Sequence, residues 1–178
     1  ELKLLSEKKA ILLEAIEKMG DSEDETEESK VRQTIGYIGE LLYEQYLKSQ
    51  DIDYKYAAIE GIGEYDFHNK TNGSYIDIKT TKCSLKDGRA PFYIHKSQDA
   101  FMQTHTDECY HIVRISLDDL GLQESYHQIV NEYGRESDPT TNPNLKNACK
   151  KIACDYFLDS SHIENFESTL HDYLIKIE

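Results

Sequence analysis

Asp66 and the tripeptide Asp77-Ile78-Lys79 flank Asn72-Gly73, and these residue types suit binding of a divalent cation beside an activated water. Asn-Gly between two alternating apolar runs predicts a β-hairpin, because a type I′ turn needs positive φ at both central residues. With Asn72 and Gly73 as a two-residue loop, Asp66 faces Lys79 and His68 faces Asp77. Side chains alternate along a strand, so Asp66, His68, Asp77 and Lys79 share one face. Phe67, Ile76 and Ile78 take the other, a candidate core. Paired carboxylates suit a hard cation with oxygen ligands, and a neighbouring lysine can hold or polarise a water. A loop one residue longer would divide this set between the two faces. The plainer reading is a solvated hairpin with an Asp66–Lys79 ion pair, worth a few tenths of a kcal/mol.

The elements that would position these groups follow from periodicity. Residues 2–19 read as an amphipathic helix stopped by Gly20, and 21–30 as an acidic linker. A second helix is expected over about 31–49, with Ile35, Ile38, Leu42 and Tyr46 on one side. Gly36, Glu40, Tyr43 and Leu47 lie opposite, so this helix is expected to be covered from two directions. Gly36 and Gly39 cost roughly 1 kcal/mol each in helix propensity, which close approach by another backbone would explain. Strands are expected at about 52–58, 64–69, 75–81, 91–95 and 109–117. Ser97 is expected to cap a short helix running to Thr106. The tail reads as helices over 118–133, 144–158 and 160–176, with Pro139 and Pro143 marking the loop between the first two.

The 178 residues suffice for one substantial domain with a small appendage. No stretch approaches the roughly 20 apolar residues of a membrane span. The charged start shows no signal-peptide pattern, and the absent initiator Met suggests a piece of something longer. Cys83, Cys109, Cys149 and Cys154 form no CxxC pair, so reduced thiols and a cytoplasmic location are expected. His105, Cys109 and His111 lack recognisable zinc spacing and read as helix-end and strand residues.

A net charge of −14 opposes simple nucleic-acid binding, since phosphate contact needs Lys and Arg. Its distribution is uneven. Residues 21–28 hold six acids and no base, whereas 68–96 carry Lys70, Lys79, Lys82, Lys86, Arg89 and Lys96 against Asp77 and Asp87. A basic lobe beside acidic ligands suits a phosphodiester-directed site; solvated surface lysines are the alternative.

Glu40 on a helix, then Asp66, then Asp77-x-Lys79, resembles the PD-(D/E)xK nuclease superfamily. Five segments carry a closer resemblance, to the NO VEIN C-terminal domain family. They are Ile35-Gly36-Tyr37-Ile38-Gly39-Glu40, Gly63-Glu64-Tyr65-Asp66, Ile76-Asp77-Ile78-Lys79-Thr80-Thr81, Pro91-Phe92-Tyr93-Ile94-His95-Lys96-Ser97-Gln98 and Tyr110-His111-Ile112-Val113-Arg114-Ile115. The resemblance covers about residues 31–117. It implies an α/β restriction-endonuclease-like core, αβββαβ with a mixed central sheet flanked by helices. An N-terminal helix (1–20), an acidic linker (21–30) and a helical extension packed on the core (118–178) would surround it.

The resemblance further implies that Asp66, Asp77 and the Ile78 carbonyl bind Mg²⁺, with Mn²⁺ as a substitute. Glu40 would complete the metal shell and Lys79 would orient or deprotonate the attacking water. Gln98 and His68 would support the site, and Lys82, Lys86, Arg89 and Lys96 would grip phosphates. The implied activity is a metal-dependent endonuclease, on DNA before RNA, in a larger defence or DNA-processing protein. A fused helicase or ATPase module and a homodimer are implied partners. Tyr65 stands where the motif name has Pro, and Asp77 is shorter than Glu. One alternative is a catalytically silent nuclease-fold module that binds nucleic acid or a protein. Another is a helical interaction role in which segment 2–19 docks a partner.

Overall fold

Apolar residues at helical spacing draw the first described helix onto a sheet. The computed structural model describes residues 27–60, 62–86, 92, 94–105, 107–133, 139 and 142–167. The expected helix over 2–19 lies outside them. Helix α1 (Glu27–Ser49) begins inside the segment expected to be an acidic linker. It buries Ile35, Ile38, Leu41, Leu42, Tyr43 and Leu47, on more than one side, as expected of a doubly covered helix. Full burial of each such side chain contributes roughly 1.5–3 kcal/mol.

Five strands form one mixed sheet in the order β1-β2-β3-β4-β5. They are β1 (Tyr54–Tyr56), β2 (Phe67–Asn69), β3 (Tyr75–Thr81), β4 (Tyr110–Ser116) and β5 (Glu164–Glu167). The β3–β4 pair is parallel and the other three pairs are antiparallel. Parallel pairing needs a crossover, and here it contains α2 (Lys96–Thr104). Helices α3 (Gln123–Tyr133) and α4 (Pro143–Asp155) follow β4. Asn142 caps α4 by accepting the amides of Asn144 and Leu145 at 3.0 and 3.2 Å, with Pro143 in the first turn.

Alternation along the central strands divides the interior into two layers. Ile76, Ile78, Val113 and Ile115 face α1 and α4, whose Leu145, Cys149, Ile152 and Ala153 complete that core. Tyr110 and Ile112 face a smaller cluster with Tyr65, Phe92, Ile94 and Met102. The segment Tyr110–Leu117 is buried on both faces at every position but His111, with Arg114 and Ser116 as its buried polar residues. Among the described residues no helix is long and apolar enough to cross a membrane.

Several expectations need correction. The hairpin joining β2 and β3 has a four-residue loop, Lys70 to Gly73, because Phe67 pairs with Ile76 and His68 with Tyr75. The Asn69 side chain accepts the amides of Thr71 and Asn72, and the Asn72 side chain accepts both the amide and hydroxyl of Ser74. These local bonds favour the longer loop over a type I′ turn, and only Gly73 of the pair has positive φ, at 78°. Phe92, Ile94 and His95 are not in a strand, and α2 is capped at His95 instead of Ser97. Residues 118–122 form a turn before α3, not helix. Of the segment expected to be a helix over 160–176, residues 168–176 lie outside the described residues, and the described part instead enters a 3₁₀ turn (Ser160–His162) and then β5. Its short, acidic sequence gives little strand signal, as is usual of edge strands.

Candidate functional site

β2 and β3 separate just where the chemistry is gathered. The short β2 pairs only with Tyr75 and Ile76 of the seven-residue β3. One more bond, from the Asp66 amide to the Ile76 carbonyl at 2.9 Å, precedes the divergence. The Ile78 amide beyond it has no β2 carbonyl opposite. Oδ2 of Asp66 accepts that amide at 2.6 Å and so stands in for the missing ladder partner. Asp66 is thus fixed beside Asp77 by the splay of the sheet. At Phe67 and His68 the register differs from the expected one by two positions, which keeps those two side chains on their faces.

Asp77 is buried and its two oxygens are engaged separately. Oδ1 accepts from Gln98 Nε2 at 2.6 Å, and Oδ2 pairs with Lys79 Nζ at 2.8 Å. Lys79 therefore pairs with Asp77, not across the hairpin with Asp66. Gln98 ties the group together: its Oε1 accepts from Lys79 Nζ at 3.3 Å and from the His95 amide at 2.9 Å. The last bond also closes the first turn of α2, so one buried amide side chain serves both the helix start and the carboxylate.

Glu40 reaches the same region from α1 and accepts a hydrogen bond from the Tyr56 hydroxyl of β1. Burial raises the Glu40 pKa and Asp77 raises it further, against the lowering effects of Tyr56 and Lys79. Burial likewise holds Asp66 well above the usual carboxylate range, reinforced by Asp77 and Glu40 and opposed by the Ile78 amide and Lys79. Burial thus favours the protonated form of both Glu40 and Asp66. His95 is held below the ordinary imidazole value by burial and the Lys79 charge.

A hard cation wants oxygen donors, and Asp66, Asp77, Glu40 and the Ile78 carbonyl are of that kind. Among the described residues no three acidic, imidazole or thiol side chains stand ready spaced to hold a metal ion. At Asp77 the Lys79 ammonium already supplies a counter-charge. The donor set fits Mg²⁺ in chemistry, and closing around an ion requires Lys79 to leave Asp77 Oδ2.

The other expected residues are distributed unequally. Lys82 and Lys86 are exposed on a loop anchored to the turn after β4. Ser84 Oγ and the Leu85 amide donate to Asp119 at 2.6 and 2.9 Å, Ser116 Oγ to the Cys83 carbonyl at 2.7 Å, and Gln123 Nε2 to the Lys82 carbonyl at 3.1 Å. Lys96 is exposed at the start of α2, and Arg89 lies outside the described residues. His68 stacks on Tyr75 with ring centroids 4.6 Å apart, instead of facing Asp77. Tyr56 and His95 were missed from the sequence. Tyr56 falls in the expected strand 52–58, but nothing in its spacing marks a contact with a helix residue sixteen positions earlier. Set against known families, curated proteins and solved structures, the chain matches no family model, no curated protein and no solved structure.

Proposed function

We propose that this chain is a metal-dependent phosphodiesterase domain of the PD-(D/E)xK type, acting on nucleic acid, DNA before RNA, within a larger defence or DNA-processing protein. The supporting observation is the convergence of Asp66, Asp77, Lys79 and Gln98, from a diverging hairpin and a crossover helix, beside Glu40. The αβββα order, with a further parallel strand, supports a restriction-endonuclease-like core of the kind the NO VEIN resemblance implies.

In this reading Asp66, Asp77, Glu40 and the Ile78 carbonyl would hold Mg²⁺ or Mn²⁺. When bound, such a cation offsets phosphate charge and lowers the pKa of a coordinated water. Lys79, released from Asp77, offers a fixed positive charge and a donor to the attacking water or the developing oxyanion. Gln98 keeps Asp77 and Lys79 aligned, and Lys82, Lys86 and Lys96 offer charge to flanking phosphates.

The test is incubation of circular and single-stranded DNA and RNA with Mn²⁺ or Mg²⁺, comparing wild type with Lys79→Ala and Asp77→Asn. Cleavage should fall at least about 100-fold in each variant. Cleavage that survives Lys79→Ala would remove the site from the chemistry. The cation should also raise the melting temperature of wild type by mass action, and Asp77→Asn should not respond.

One observation favours a second reading, a nuclease-fold module that binds nucleic acid or a protein without cutting. Both Asp77 oxygens and Asp66 Oδ2 already have protein partners, so the group is satisfied as a structural network. No cleavage of any substrate, with no metal-induced stabilisation, would select that reading.

A further inference from the structure

Each element that carries a site residue also carries an aromatic ring one step away. Tyr65 precedes Asp66, Tyr75 lies two residues before Asp77 on the same strand face, and Phe101 lies one helical turn after Gln98. These rings touch. Tyr65 and Tyr75 have centroids 4.7 Å apart, Tyr65 and Phe101 5.4 Å, and Tyr75 meets Phe101 edge-on at 4.8 Å and 82°. Two imidazoles extend the cluster. His68 lies parallel to Tyr75 at 4.6 Å and 15°, and His105 lies parallel to Phe101 at 3.8 Å and 15°.

Ordinary core packing accounts for Tyr65, Tyr110 and Met102, which are buried. Tyr75 and Phe101 pack against that cluster but stay partly exposed, as do the two imidazoles laid flat on them. A partly exposed cluster of flat π rings is what an unpaired base stacks on. We propose that His68, Tyr75, Phe101 and His105 form a stacking subsite for a nucleobase of single-stranded nucleic acid. Two residues of strand separate Tyr75 from Asp77, about 6.5 Å, so a base held here places its own backbone beside the carboxylates.

Local charge decides how such a strand is held. Lys55 faces His68 in the β1–β2 register but is paired with Glu60 at 2.7 Å, and Tyr75 is hydrogen-bonded to Glu108. With Glu60, Glu64 and Glu108 nearby, ring contact and not phosphate contact carries the binding. The subsite rests on nucleic acid being what the acidic site handles, and binding without metal tests it separately from hydrolysis.

The experiment measures binding of the full chain, in chelator, to a fluorescein-labelled single strand, to the same backbone without bases, and to the duplex, in DNA and RNA forms. Wild type should prefer the base-bearing strand over the abasic strand about tenfold. The duplex should bind no better than the abasic strand. Tyr75→Leu and His68→Ala, with unchanged melting temperatures, should lose the preference, and His68→Phe should keep it. Equal binding of abasic and base-bearing strands by wild type overturns the proposal. So does a preference that survives both Tyr75→Leu and His68→Ala, or one lost alike in His68→Ala and His68→Phe. Asp77→Asn should keep the preference. An intact preference without cleavage by wild type defeats the hydrolytic reading alone, whereas cleavage without a preference defeats the stacking subsite alone.

Discussion

A methyl group at position 39 would lie 1.8 Å from Thr80 Oγ1 and 2.9 Å from Thr80 Cβ, so α1 sits on β3 through a bare glycine. The next residue on the helix is Glu40. The close approach anticipated from the glycines is real at Gly39, though made by a side chain, whereas nothing lies within 4 Å of a Cβ built at Gly36. Gly39→Ala should therefore cost about 1–3 kcal/mol through overpacking. Gly36→Ala should gain roughly 0.5–1 kcal/mol from helix propensity. Thr80→Ala removes the clashing hydroxyl, which is itself buried without a hydrogen-bond partner, and should restore part of the loss in the double variant, since the Cβ at 2.9 Å stays. Chemical denaturation of the four proteins reads this, and an equal response at both glycines would disprove the close contact.

Gln98 holds Asp77, Lys79 and the α2 start together. Gln98→Ala leaves a buried carboxylate one donor short and should lower stability by about 1–3 kcal/mol. Gln98→Glu should be worse at neutral pH than at acid pH, since it sets a second carboxylate against Asp77. Urea titrations at two pH values distinguish the two substitutions.

Asp66 and Glu40 bind protons more tightly in the fold than in an open chain, burial being the main cause in each. The stability this provides is complete below the ordinary carboxylate range, about pH 4. It is lost as pH rises through the raised values. In chelator, Asp66→Asn should gain on wild type steadily from about pH 4 towards neutrality, while the Asn side chain still accepts the Ile78 amide. Excess Mg²⁺ should reverse that trend in wild type only. A wild-type-to-variant gap that is flat with pH contradicts the burial argument.

Lys82 and Lys86 stand on a loop tied to Asp119, so their charges are held in place. Replacing each with Ala should weaken binding of all nucleic-acid sequences alike and reduce the salt slope by about one per lysine. Asp119→Ala should do part of the same without removing a cation. Fluorescence anisotropy across a salt series provides the measurement; unchanged slopes would return these lysines to plain solvated surface.

Much of this arrangement was legible in the chain because parity is robust. The expected loop at Asn72-Gly73 was two residues too short, yet His68, Tyr75 and Asp77 kept one face, since only an odd shift exchanges faces. The α1 stripe, β3 and β4 were readable from periodicity, and Gln98 was named only from the resemblance. What escaped depends on distant contacts. β5 is acidic and short, and only its pairing to β4 makes it a strand. The His95 cap uses the Gln98 side chain, which overrides the local preference for Ser97. Lys79 chose Asp77 over Asp66 because burial and Gln98 placed that carboxylate within reach, and no spacing rule foretells this.

β5 covers the outer side of β4, although more than forty positions separate them in the chain. A protein shortened after Leu158 would leave the Tyr110–Ser116 backbone without that neighbour, and bare strand edges recruit other chains. Solubility and the placement of Lys79, one strand further in, thus hang on a tail that holds none of the reactive groups. The segment that carries Asp66, Asp77 and Lys79 and the strand at Glu164–Glu167 must be inherited as one piece.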